Sequence, residues 1–262
     1  MQLRVKLYVI VTLQNSNSKN KSKQLKVKIM NSKISYLAIL LVAFLFTTPL
    51  QAKEEMREVS AFSKIALRIS AKVYVVQGER QSVKIVAEPE TLEEIITEVR
   101  DRTLNIRYPN NNIFRNWNPG KVEVYITVPE VDGLTVSGSG DIESEHIKTR
   151  ILDLAVSGSG NITIETLSAE KVDAAISGSG NVRLNNGGVA DELKARISGS
   201  GNVNASGFEA QKVDVQTSGS GNCYVTSNGS LNVRVSGSGS VYYSGNPSID
   251  SSISGSGKVK KR

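Results

Sequence analysis

The chain has 262 residues, with 32 basic and 25 acidic side chains, one histidine and one cysteine. A single cysteine excludes an intrachain disulfide, and one histidine beside it is a poor start for a zinc centre. The net charge of +7 does not mark a nucleic-acid footprint: eight basic residues and no acid fall in the first 52 positions, and the remaining 24 basic and 25 acidic residues nearly balance, so no nucleic-acid partner is expected.

From the N-terminus, Met30 opens a segment with the three parts of a secretory signal. Lys33 supplies the positive region, Leu37 to Phe46 is an apolar run, and Thr47 to Ala52 ends in a small residue suited to cleavage. The run is shorter than the roughly 20 apolar residues of a membrane-spanning helix. Residues 30–52 are therefore read as a signal peptide, with the mature chain starting near Lys53 and not integral to the membrane. Residues 1–29 are either mistranslated leader or an extended positive region. The address is export, to the periplasm, the outer-membrane surface or the exterior.

Residues 53–130 read as N-terminal capping strands with a first degenerate rung. Strands are expected at Val83–Ala87, Leu104–Tyr108 and Val122–Val128, with a short helix from Pro89 to Ile96. Ile65 to Val73 resembles Leu134 to Ile142 with one residue deleted at the corner. Between these strands, Pro109 to Gly120 is the most distinctive non-repeating stretch. It holds the only tryptophan, Trp117, beside Phe114 and Arg115. These three residues are the candidate ligand contacts, since aromatics among amides suit sugar or partner recognition on a loop; the competing reading is that Phe114 and Trp117 plug an open end.

Residues 131–262 carry seven copies of Ser-Gly-Ser-Gly, starting at Ser137, Ser157, Ser177, Ser198, Ser218, Ser236 and Ser254, at steps of 18 to 21 residues. Such a period marks a stacked repeat. One, three and five residues ahead of each first serine the side chains are largely aliphatic or β-branched, and five residues after it they run Ile142, Ile162, Val182, Val203, Cys223, Val241, Val259. Period-two alternation on both sides of a glycine corner gives strand, corner, strand and a variable return loop. One rung cannot bury its own apolar face, but stacked rungs can. The fold class is thus all-β: a single-stranded β-solenoid of parallel rungs of about 20 residues with an N-terminal capping region. Asn161, Asn181, Asn202 and Asn222 should form a ladder of stacked amides along the axis, and Cys223 should pack in the core. Lys258, Lys260, Lys261 and Arg262 either guard the last edge strand or form a frayed tail.

Chemistry is sparse. His146 sits in a polar return segment and no Gly-x-Ser-x-Gly elbow accompanies it. The Gly-Ser-Gly corners lack the nine-residue period and repeated aspartates of calcium-binding repeats. Asp153, Asp173 and Asp214 fall four residues before a corner serine and point outward, which describes a solvated face. No catalytic, cofactor or metal residue is assigned.

The Val/Ile-Ser-Gly-Ser-Gly-Asn/Asp-Val/Ile rungs and the opening Arg57 to Ile65 resemble the head-GIN-domain family, known as auto-transporter adhesins, over about residues 56–257. The resemblance implies an exported bacterial envelope protein with a β-helix-like fold and brings no catalytic residues. The expected function is a rigid binding, adhesion or structural module, not an enzyme, whose partner is an envelope glycan or surface protein. The alternative is a polysaccharide lyase or hydrolase built on a β-helix.

Overall fold

Alternating apolar residues ahead of each glycine corner hold the backbone extended and leave one face to be buried. In the computed structural model, which describes residues 52–109 and 118–262, that face is buried by stacking equivalent strands in parallel and in register. The repeat region comprises β8 (Gly133–Gly138), β9 (Asp141–Gly158), β10 (Asn161–Gly178), β11 (Asn181–Leu184), β12 (Val189–Gly199), β13 (Asn202–Gly219), β14 (Cys223–Gly237), β15 (Val241–Ser244), β16 (Ser248–Gly255) and β17 (Val259–Lys261). The residues before each corner stack into a first face, in which Leu134 lies on Leu154 and Val136 on Val156. The residues after each corner stack into a second, in which Ile142, Ile162, Val182 and Val203 form a fully buried column.

The variable return loop of the sequence reading is, in the early rungs, a third strand-forming side. His146 to Thr149 pairs in parallel with Thr166 to Ala169, and Ile147, Leu167, Ala169, Ala190, Phe208 and Ala210 are buried along this side. The later 18-residue steps shorten this side. Between β13 and β14 the register shifts so that Glu209 and Ala210 face Thr226 and Ser227.

The corners explain their glycines. The first glycine of each corner has φ between +120° and +130°, a region that L side chains rarely adopt. The second glycine is needed for space: a Cβ on Gly180 would meet the carbonyl oxygen of Gly160. That closeness lets each corner bond to the next. Gly138 O accepts the amides of both Ser159 and Gly160 at 2.9 Å, and Gly158 O accepts those of Ser179 and Gly180. The asparagine ladder forms as expected. Asn161 Nδ2 donates to Asp141 Oδ1 at 2.7 Å, Asn181 to Asn161 at 2.8 Å, Asn202 to Asn181 at 3.0 Å and Asn222 to Asn202 at 3.4 Å.

The N-terminal region comprises β1 (Lys53–Met56), β2 (Lys64–Leu67), β3 (Lys72–Gln77), β4 (Ser82–Ala87), α1 (Pro89–Glu94), β5 (Ile96–Arg100), β6 (Thr103–Arg107) and β7 (Glu123–Val128). Here β2 and β3 form a rung under β8 and β9: Ile65 pairs with Leu134, Leu67 with Val136 and Val73 with Ile142. The expected one-residue deletion at this corner is absent. Arg68 to Ala71 has the same length as Ser137 to Gly140, and what differs is composition, with Ile69 and Ala71 buried where the repeat has small corner residues. The next rung outward is made by later residues: β6 pairs with β2 and β7 with β3, both parallel. Antiparallel strands then close the end, β5 on β6, β4 on β7 and β1 on β4.

Candidate functional site

The candidate ligand contacts Phe114, Arg115 and Trp117 lie outside the described residues. The described flank of their loop is anchored, since Thr91 Oγ1 in α1 donates to Pro119 O at 2.8 Å and Gly120 N donates to Asn118 Oδ1 at 3.2 Å.

His146 is exposed on the third side, and its backbone carbonyl accepts from Ser144 Oγ at 3.4 Å. Cys223 is fully buried, and burial pushes its thiol up to about 12. It is a core methyl-sized group rather than a nucleophile. Among the described residues, no cluster of three or more His, Cys, Asp or Glu is placed to hold a metal ion, and no helix is long and apolar enough to cross a membrane.

The outward acids of the first face do not form a continuous column, because Lys194 stands between Asp173 and Asp214 in the stack. Two of them are also neutralised locally. Asp153 Oδ2 lies 3.4 Å from Lys64 Nζ, and Asp173 lies 3.5 Å from Lys171 and 3.1 Å from Arg196. The Arg196 contact is an ion pair without hydrogen-bond alignment, since Asp173 Oδ1 has no hydrogen-bond donor. Glu192 accepts both Lys194 at 3.3 Å and Lys212 at 3.2 Å. Burial works against its ionisation, but the two lysines outweigh it and hold the carboxyl below its ordinary value. This is a charge-balanced surface network, worth little per pair. Nearer the corners, the same face carries a shallow trough of about 590 Å³ over Ala155 and Ala175, flanked by Arg196 and Arg234.

The second face has a different character. Six residues after each first serine, outward side chains form one column, and in the C-terminal half it runs Arg183, Asn204, Tyr224, Tyr242, Lys260, in register from strand to strand. The Tyr224 and Tyr242 rings stack at 5.0 Å with an interplanar angle of 9°, and the Arg262 guanidinium lies 5.5 Å from the Tyr224 centroid. A cleft of about 340 Å³ lies between Arg183 and the asparagine ladder. At the opposite end of the same column Tyr74 stacks on Tyr125 at 5.1 Å. Sequence reasoning missed this column, although the aligned repeats contain it at a constant offset.

A family model described as "Putative auto-transporter adhesin, head GIN domain" matches residues 61–247, most of the chain. The chain belongs to this family. The head GIN domain is also similar to solved structures. A "putative adhesin" from Bacteroides fragilis shares 27% identity at a TM-score of 0.76, covering 81% of this chain and 97% of that one. A "putative lipid binding protein" from Parabacteroides distasonis shares 22% identity at a TM-score of 0.66, with 81% and 97% covered. A second protein of that organism, a "putative adhesin", shares 21% identity at a TM-score of 0.63, with 82% and 98% covered. A search of curated proteins found no match. For the head GIN domain, the two relatives below 25% identity speak for the fold alone.

Proposed function

We propose that this chain is an exported, non-catalytic binding module of the bacterial cell envelope. The observation that carries this reading is the register kept by the first and second faces between Gly133 and Lys261, which fixes rows of outward side chains along both. Rows held at the inter-strand spacing of about 4.8 Å suit an extended partner better than a small substrate, which is usually held in a concave pocket. Membership of a family described as adhesins and the signal-like segment of residues 30–52 support the same reading. The partner is an envelope glycan or surface protein.

The test is to incubate the purified protein with isolated bacterial envelopes and measure both retention and released soluble sugar. Saturable retention without sugar release is the expected result. Release that continues with time, and stops on substitution of an outward acid or of His146, would establish an enzyme instead.

A further inference from the structure

The charges of the second face are segregated along the axis. Its early rungs carry Asp141, Glu143 and Glu165, with Lys72 paired to Glu143 at 2.9 Å. From Asn181 to the C-terminus, the outward residues of β11, the first segments of β13 and β14, and then β15 and β17 include no carboxylate, while Arg183 and Lys260 stand at the two ends of the outward column.

The groups of this column have donor capacity to spare. Among the described residues the Arg183 guanidinium makes no ion pair or hydrogen bond, its backbone alone being paired in the sheet. Asn204 Oδ1 accepts from Ser206 N at 3.2 Å and from Ser206 Oγ at 2.8 Å, which leaves the Asn204 amide hydrogens free to donate. The Tyr224 and Tyr242 rings are partly exposed, and among the described residues neither hydroxyl has a hydrogen-bond partner. Five consecutive rungs thus present cation, amide, phenol, phenol, cation, a row of roughly 19 Å at the inter-strand spacing.

We propose that this row binds an extended anionic glycan, a uronate-type polymer, lying along the solenoid axis. Arg183 and Lys260 take carboxylates, Arg183 in bidentate fashion and Lys260 as a point charge. Asn204 and the tyrosine hydroxyls take sugar hydroxyls between them. The cleft beside Arg183 admits a group that projects from the polymer. Nucleic acid is the poorer fit, because the three cations on a row of this length, Arg183, Lys260 and the Arg262 that lies over Tyr224, are too few for a backbone that is charged at every step. The proposal rests on the binding-module reading and places its site.

The test titrates the purified protein with oligogalacturonate by isothermal calorimetry, with a neutral maltooligosaccharide and oligo(dT) as comparison ligands. Oligogalacturonate should bind, and binding should weaken as salt is raised. Arg183→Ala and Lys260→Ala should each weaken it by roughly tenfold, the scale of one lost charge-assisted hydrogen bond. Lys148→Ala, on the third side, should leave it unchanged. The proposal is overturned by failure to bind oligogalacturonate, by equal binding of the neutral oligomer, by tighter binding of oligo(dT), or by equal losses in all three variants. If the Arg183→Ala protein still adheres fully to envelopes, the binding module stands and the site lies on another face.

Discussion

The two ends of this solenoid solve one problem in different ways. Any stacked rung leaves unpaired backbone and an open apolar core at its edge. At the N-terminal end, antiparallel β4 and β5 cover the outermost rung, β1 extends the cover, and Leu92, Ile95, Leu104 and Ile106 are sealed in the core. At the C-terminal end, β16 and β17 keep the inward register with nothing laid over them among the described residues. Ile249 and Ile253, which continue the columns of Leu231 and Val235, are each 42% exposed. Lys261 continues an inward column, that of Val225 and Tyr243. One end is closed by packing, and the other carries a charge at an inward position instead of a covering strand.

The largest expected effect tests this contrast directly. Ile106→Ala in the cap should cost about 2–5 kcal/mol, as for other truncations of fully buried aliphatic residues, whereas Ile253→Ala should cost less than about 1 kcal/mol because its site is open. Denaturant titration of both variants decides, and equal losses would mean that the C-terminal end is covered after all.

A second effect concerns association. Replacing the inward charge at the open end, Lys261→Ile, should produce concentration-dependent end-to-end oligomers. The matching exposed change in the cap, Arg100→Ile, should leave the sedimentation profile as it was. Monomeric behaviour of Lys261→Ile at high concentration would remove the guarding role from that lysine.

Smaller, and opposite in sign, is a change between the ends. Thr217 occupies the apolar column of Val156, Ile176, Ile197 and Val235, and its hydroxyl is buried without a hydrogen-bond partner. Thr217→Val keeps the shape and removes the orphan, so it should raise stability by about 1 kcal/mol. A lower thermal midpoint would show that the hydroxyl has a partner.

The smallest expected effect is the dependence on pH. Arg107, helped by Arg100, holds Glu98 in the cap below its ordinary value of 4.5, and Lys212 and Lys194 do the same for Glu192 in the rungs against the cost of burial. A lowered folded value means that the stabilisation is complete above 4.5 and is lost as pH falls through the folded values. Lys72 and Lys194 are raised above 10.5, mainly by Glu143 and Glu192, so their share is complete below that value and is lost only as pH climbs past it. The thermal midpoint should be level from about pH 5 to 10 and decline gently on the acid side. Glu98→Gln with Glu192→Gln should flatten the acid limb, and an unchanged slope would assign it to other groups.

The repeat made the rungs, corners and amide ladder legible, because each position recurs with one environment and its role can be read across copies. The third side was less so. Ile147, Leu167 and Phe208 sit where the chain bends and the alternation breaks, so a period-two reading passes over them. The order of the cap was hidden for another reason: β6 and β7 stack outside β2 and β3 although they follow them in the chain, and no local pattern encodes that exchange. Of the candidate site, the offset of Arg183, Asn204, Tyr224, Tyr242 and Lys260 was in plain view. Apart from the two tyrosines their side chains differ from rung to rung, however, and a search for identity finds a constant spacing only where residues match.

The corner has one more consequence. From Gly138 to Gly237, each first-glycine carbonyl receives two amides from the next rung, and each second glycine leaves room for that approach. Every corner is thus both template and copy, touching only its neighbours. Duplicating one unit in the gene would insert a storey about 4.8 Å tall without disturbing those above or below. Reach then becomes a heritable variable separate from chemistry: descendants could lengthen by copying storeys and specialise by editing one outward column.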